Sequence, residues 1–426
     1  MATHARHLAC VANNIAMNIT SKIVALSSAV AFALQIALAL LMLRYFSPEE
    51  VGMFSVISQI GFFSTNLALA QSPLRLLANQ GVSVYEDVIS SWLSSIQRFV
   101  WLLPVTAVAV WWSGMPFVSA LLWTVLLSLC QLTWMLAQSM RLRMVGTWGH
   151  VLARVLPPFI SLLVTFVAVQ MQWDGPSLLI AALTGYAIGA LGIAPAFFST
   201  FQFLKKQSIN IHSNNTQPFN TFEDGSALSP SLRTSDARPA WLRMAHSLID
   251  ALLATALLVI WQRQFGSQET GWLAAPLRIM GFIPAVIHMA WAQVLLAQHK
   301  QSRINPTLVG LTGFSFVALI GASCFVALNV GWISYDWQGV KTYLLMLVMW
   351  QGFACMTAAY SHRPFQTHES ISYSIICTAI SIAQFLVLVV PVIFNFQPTP
   401  HLFFSWFAIV SVCGLSVLFF RLKNLI

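Results

Sequence analysis

"RYFSPEEVGMF", Arg44 to Phe54, is answered about half a chain later by "RQFGSQETGWL", Arg263 to Leu273. Four residues repeat in register: Arg44 with Arg263, Phe46 with Phe265, Glu50 with Glu269, and Gly52 with Gly271. Each stretch joins two long apolar runs. Just beyond them, Gly61-Phe62 and Gly281-Phe282 nearly repeat as well. A hairpin written twice at equivalent places reads as a duplication, and the rest of the chain is organised around it.

Hydrophobic residues make up 58% of the chain and charged residues only 8%, against roughly 25% charged in soluble domains. That much apolar surface cannot be hidden in a water-facing globule, so the chain reads as an all-α integral membrane protein. Runs of about 20 apolar residues are long enough to cross a bilayer. Candidate spans lie at roughly 23–43, 51–70, 95–113, 117–140, 151–171, 178–203, 241–262, 271–298, 307–330, 341–360, 371–394 and 401–420, about twelve in all. Pro104 and the pair Pro157–Pro158 interrupt spans three and five, where proline is expected to kink the helix. The residues before the first span are polar and Asn-rich, unlike a cleavable signal.

One long polar stretch, "KKQSINIHSNNTQPF" onward to Pro239, is rich in Ser, Asn, Thr and Pro and reads as a linker. It divides the chain into an expected six-helix bundle over 1–204, a linker over 205–240 and a second six-helix bundle over 241–426. With six spans each, the halves keep one orientation and form parallel repeats, an arrangement in which transporters place their substrate path between the halves.

The net charge of +9 is read as membrane topology rather than nucleic-acid binding. Arg44, Arg263 and Lys341 fall on the side of the repeated loops, and Arg154, Arg243 and Arg278 fall within spans. The remaining fifteen of the twenty-one Lys and Arg residues share the opposite side. This asymmetry predicts that both termini and the linker are cytoplasmic.

Residues 40–64, "LLMLRYFSPEEVGMFSVISQIGFFS", resemble the first hairpin of the polysaccharide (O-antigen-type) flippases, a family of the multidrug/oligosaccharidyl-lipid/polysaccharide exporter superfamily. Residues 265–295, "FGSQETGWLAAPLRIMGFIPAVIHMAWAQVL", resemble that family's second-half hairpin, with Gly, Arg and Pro in the expected order. The resemblance covers these hairpins, the span count and the six-plus-six plan; elsewhere only hydropathy matches. It implies two six-helix bundles around a V-shaped central cavity, and a lipid-linked glycan as substrate.

Ionisable residues inside a membrane are costly and mark functional sites. Asp250 lies near the middle of span seven, Arg243 near its linker-side end, and His246 between them. At about 100° per residue the three fall within about 60° of one another. Arg278 lies about two turns into span eight and Arg154 about one turn into span five. Arg154 and Arg243 are also close enough to an interface to snorkel, and Asp250 could instead pair with His246 or Arg278. Polar stripes mark single helix faces: Ser21, Ser28 and Gln35 in span one; Ser55, Gln59 and Asn66 in span two; Thr124, Ser128, Gln131 and Gln138 in span four. They suit a cavity that passes sugar hydroxyls, although helix–helix hydrogen bonding writes shorter versions of the same pattern.

Arginine's planar fork matches phosphate oxygens. The expected ligands of an undecaprenyl-diphosphate-linked oligosaccharide are therefore Arg243, Arg278 and Arg154. Asp250 and His246 are the expected carriers of a coupling proton or sodium ion, and Ser28, Gln35, Ser55, Gln59, Asn66 and Gln131 the expected cavity lining. No cofactor or metal is expected. The six cysteines form no C-x-x-C pair, and His362, His368 and Glu369 lack the H-E-x-x-H spacing of a zinc site. The chain reads as a transporter for surface polysaccharide (O-antigen, capsule or exopolysaccharide) in a bacterial inner membrane, not as an enzyme. Its expected partners are membrane lipids and the glycan polymerase and glycosyltransferases of the same pathway. A multidrug/cation antiporter of the same superfamily is the first competing reading; it would be expected to show more carboxylates or an aromatic cage. A membrane glycan polymerase is the second, expected to carry a large outer loop.

The topology has a direct check. A reporter enzyme fused within 215–235 should be active only in the cytoplasm, and one fused at Gly114 or Asn395 only outside. A linker that reports outside would overturn the orientation.

Overall fold

The computed structural model of the chain describes residues 26–70, 72–78, 83–144, 146–173, 175–199, 237–288, 305–366 and 369–424. Among the described residues there is no strand; the chain is all helix and short connections. Among the described residues, eleven helices are long and apolar enough to cross a membrane. Ten match the expected spans singly: Leu26–Tyr45, Pro48–Leu69, Val84–Trp112, Phe117–Met144, Trp148–Gln170, Ser177–Ser199, Pro306–Val330, Tyr335–Tyr360, Ile371–Ile393 and Pro400–Lys423.

The eleventh carries spans seven and eight together. The helical segment Ala237–Ile287 is broken at Gly266, with φ 84° and ψ 179°. Drawn straight, its course from Asp250 to Ile287 would cover about 55 Å, well beyond a bilayer's hydrocarbon core. Instead Asp250 accepts a hydrogen bond from Ser381 and lies beside Tyr373 and Cys377. Ile287 packs into the same cluster as Tyr373 and Cys377. The segment therefore doubles back at Gly266, the one residue type that takes this backbone conformation without steric cost. Two passes lie in one segment, and the count of about twelve is recovered.

Gly266 occupies the position that Ser47 holds in the first hairpin. There the local chemistry is explicit. The Ser47 side chain caps the next helix, Pro48 fills its first turn, and Glu50 reaches back to close a capping box. In the second hairpin Glu269 does something else: it accepts from the Tyr343 hydroxyl.

The two hairpins pack directly on each other. A Cβ built on Gly52 would run into the Ser267 carbonyl and come within 2.9 Å of the Gly271 nitrogen. A Cβ built on Gly271 would run into the Pro48 carbonyl. Pro48 and Ser267 are themselves equivalent in the repeat, so the contact is reciprocal. Each hairpin's glycine receives the other's helix-start backbone. Small residues permit such close approach where lipid offers no hydrophobic drive for helix association.

Other expectations shift in detail. Span three begins at Val84 rather than 95, because Glu86 and Asp87 favour a helix N-terminus and Asp87 pairs with Arg143 at 3.2 Å. Pro104 and Pro157–Pro158 lie within continuous helices. The helix of span seven starts at Ala237, inside the expected linker range; residues 205–236 of that linker lie outside the described residues, as does Ser21.

Overpacking a tight contact typically costs about 1–3 kcal/mol. Gly52→Ala, and separately Gly271→Ala, should therefore part this end of the molecule. In a background without other reactive cysteines, Ser267→Cys should react with a membrane-impermeant maleimide about tenfold faster in either variant than with both glycines present. Equal labelling would show that the glycines do not hold the contact.

Candidate functional site

Arg278 lies two turns beyond Gly271 and emerges at the seam between the first six spans and the last six. Its guanidinium sits over the Phe54 ring of span two, 5.1 Å from the centroid, and in electrostatic reach of the Tyr186 hydroxyl of span six. Both neighbours come from the first half of the chain. Among the described residues Arg278 makes no hydrogen bond and no ion pair. Desolvating a guanidinium without an acceptor is unfavourable.

Tyr186 stacks on Trp134 of span four, with centroids 5.2 Å apart and planes at 28°. Trp134 in turn donates from Nε1 to the carbonyl of Ala153 at 2.7 Å. That carbonyl is free for a local reason. Pro157, four residues on, has no N–H to return to it. Arg154 follows directly on span five, half-buried, and it too makes no hydrogen bond or ion pair among the described residues. Gly185 of span six fits against the Pro157 carbonyl and Ser161, which brings Tyr186 close to span five.

Asp250 is placed apart from these arginines. It lies on an exposed face of span seven with Ser381, Tyr373 and Cys377 of span eleven, so Arg278 is not its partner. Arg243 and His246 sit on the same helix, but their side chains lie outside the described residues. His362 is buried, and burial followed by the neighbouring Arg363 charge holds its pKa below the ordinary histidine value. His368 lies outside the described residues.

The polar stripes divide. Thr124 and Ser128 are buried and bond to the carbonyls of Ala120, Thr124 and Gly61, while Thr65 donates to the Ser128 carbonyl. This part of the span-four stripe joins spans four and two. Ser55 and Gln131 are buried, whereas Ser28, Gln35, Gln59 and Asn66 are partly exposed.

The two ends of the seam differ. At the end with the repeated loops, Arg44 donates to the Trp332 carbonyl and covers the Trp332 ring. Trp337 donates to the Phe46 carbonyl at 3.1 Å. Arg263 lies against Gly114. The arginine of each hairpin thus reaches a connection in the opposite half. At the other end, Phe32 of span one meets Phe282 of span eight edge-on at 5.2 Å. Beside them opens an apolar cavity of about 440 Å³ lined by Phe32, Ile283, Ile287, Val309 and Phe316.

Sequence reasoning singled out Arg278 and Arg154 but not Phe54, Tyr186 or Trp134. Aromatics in apolar runs are the background of any membrane protein. The only available hint was the proline pair, which frees carbonyls that a nearby donor must satisfy.

No protein-family model matches the sequence, and no characterised protein matches it at the sequence level. Solved structures do match in fold. One is the lipid II flippase MurJ in an inward closed conformation, with TM-score 0.55, 12% identity, and coverage of 97% of this chain and 88% of that one. Another is an inward-facing multidrug resistance MATE family transporter of the MOP superfamily, with TM-score 0.51, 13% identity, and coverage of 92% and 95%. The chain therefore shares the fold of these transporters.

The separation of Asp250 from Arg278 can be measured through stability in detergent. Residues without shared partners behave additively within about 0.5 kcal/mol. The double change Asp250→Asn with Arg278→Gln should equal the sum of the singles. Asp250→Asn with Ser381→Ala should depart from additivity by more than that. Strong coupling of Asp250 to Arg278 would contradict this placement.

Proposed function

We propose that this protein is a flippase that carries an undecaprenyl-diphosphate-linked oligosaccharide across a bacterial inner membrane by alternating access, in surface-polysaccharide biosynthesis. The observation that carries the reading is Arg278, an arginine without an acceptor among the described residues, at the seam between the first six spans and the last six. A diphosphate supplies the missing oxygens, and the fork of the guanidinium meets two of them together. Arg154, and Arg243 on span seven, add positive charge toward the cytoplasmic side. The partly exposed Gln35, Gln59 and Asn66 offer donors and acceptors for sugar hydroxyls. The apolar cavity beside Phe32 and Phe282 gives the polyprenyl tail a place to leave the seam for the bilayer.

Alternating access needs one end shut while the other opens. The glycine contact, with the crossed arginines Arg44 and Arg263, is the outer seal in this reading. Asp250, exposed yet held by Ser381, is the candidate for taking up a proton or sodium ion, with His246 one turn away.

Antiport of organic cations is the second reading, and the exposed Asp250 is the feature that favours it. Arginine at the seam argues against it, because a cation would be repelled where the substrate must pass.

Deleting the gene should abolish surface glycan and leave tolerance to cationic dyes unchanged; sensitised cells with normal glycan would support antiport instead. Arg278→Ala should insert normally, since losing a charge eases insertion, but should lose glycan export. Arg278→Lys should keep only part of it, having the charge without the fork. Full export by Arg278→Ala would remove the central support for this function.

A further inference from the structure

The arginines account for the diphosphate but not for the glycan attached to it. Next to Arg278 the structure holds an aromatic pair that the transport reading has not used. Tyr186 lies in electrostatic reach of Arg278, Trp134 stacks on Tyr186, and Trp134 is tied to the backbone carbonyl of Ala153. Both rings are partly exposed, and the Tyr186 hydroxyl makes no hydrogen bond among the described residues. An aromatic face carries negative charge density. It attracts the polarised C–H groups that a pyranose presents on its apolar face, while the hydroxyl at the ring edge can bond a sugar oxygen.

The pair is also rigid. Trp134 Nε1 is fixed by a carbonyl that Pro157 leaves without a helical donor, so the indole cannot rotate away without orphaning that group. Gly189 leaves the space that the indole fills, since a Cβ there would collide with it. Two stiff rings, with the Tyr186 hydroxyl unbonded among the described residues and the Arg278 guanidinium in its electrostatic reach, match a sugar that carries a diphosphate at its anomeric carbon.

We infer that Tyr186 and Trp134 form a sugar-binding platform that reads the first pyranose of the lipid-linked glycan while Arg278 holds the adjoining diphosphate. The inference rests on the flippase reading above. It adds that this site distinguishes a glycosylated lipid from the bare lipid diphosphate.

The full-length protein in nanodiscs would be titrated with two probes: undecaprenyl diphosphate, and the same lipid bearing one N-acetylhexosamine. Tyr186→Leu should weaken binding of the sugar-bearing lipid about tenfold and leave the bare diphosphate unchanged. Arg278→Gln should weaken both. Trp134→Phe, which keeps a ring but loses the bond to Ala153, should retain more affinity for the sugar-bearing lipid than Trp134→Leu. Melting curves would confirm that each variant is folded. Equal weakening of both probes by Tyr186→Leu, or no effect on either, would overturn the platform while leaving the flippase reading standing. Failure of the unmutated protein to bind either lipid would bring down both readings.

Discussion

The backbone contact between Gly52 and Gly271 sets how closely two six-span sets approach, and much of the remaining structure hangs from it. Lipid tails are as apolar as leucine, so no hydrophobic drive pulls these helices together. What holds them is close packing, plus polar bonds at the ends. Phe54 stands two residues beyond one glycine and Arg278 two turns, about 10 Å, beyond the other. Their stacking at 5.1 Å follows from the depth at which the two helix starts lock. A shift of one turn between the hairpins would carry Arg278 past both Phe54 and Tyr186.

Much of the fold was legible because membrane spans write strong signals. Apolar runs, one polar interruption and the distribution of Lys and Arg sufficed for about twelve crossings. The reversal at Gly266 was legible only as a loop. Nothing in its sequence says that helical hydrogen bonding continues almost to the turn on both sides. The start of span three was hidden because Glu86 and Asp87 look like loop residues until Arg143 is found opposite Asp87. The site was legible to the extent that it is charged. Arg278 and Arg154 stand out against apolar neighbours, whereas Tyr186 and Trp134 do not. Thr124 and Ser128 show the opposite limit. Their spacing was plain, but the same spacing serves a wet cavity and a helix contact, and only the partner across the gap tells them apart.

Backbone carbonyls recur as the acceptors that join distant parts of the chain. Arg44 bonds to the carbonyl of Trp332, Trp337 to that of Phe46, Trp272 to that of Asp336, and Trp134 to that of Ala153. In each case a long side chain reaches a carbonyl at a turn, a helix end or one turn before a proline. Most helix-interior carbonyls are spent within the helix; those of Gly61 and Ser128, which also accept from facing hydroxyls, need small residues to bring the helices close. Prolines and turns therefore do more than bend the chain: they add carbonyls by which long side chains fasten helices to each other.

The reciprocity of the glycine contact bears on why glycine stands at the same place in two hairpins whose other matched residues meet different neighbours. Each glycine meets the helix start that carries its counterpart. Change one copy and the altered face presses on the other copy's backbone, so neither copy can drift alone. Residues away from the contact face unrelated neighbours and escape that reciprocity. The repeated loop is the place where two like helix starts press directly on each other.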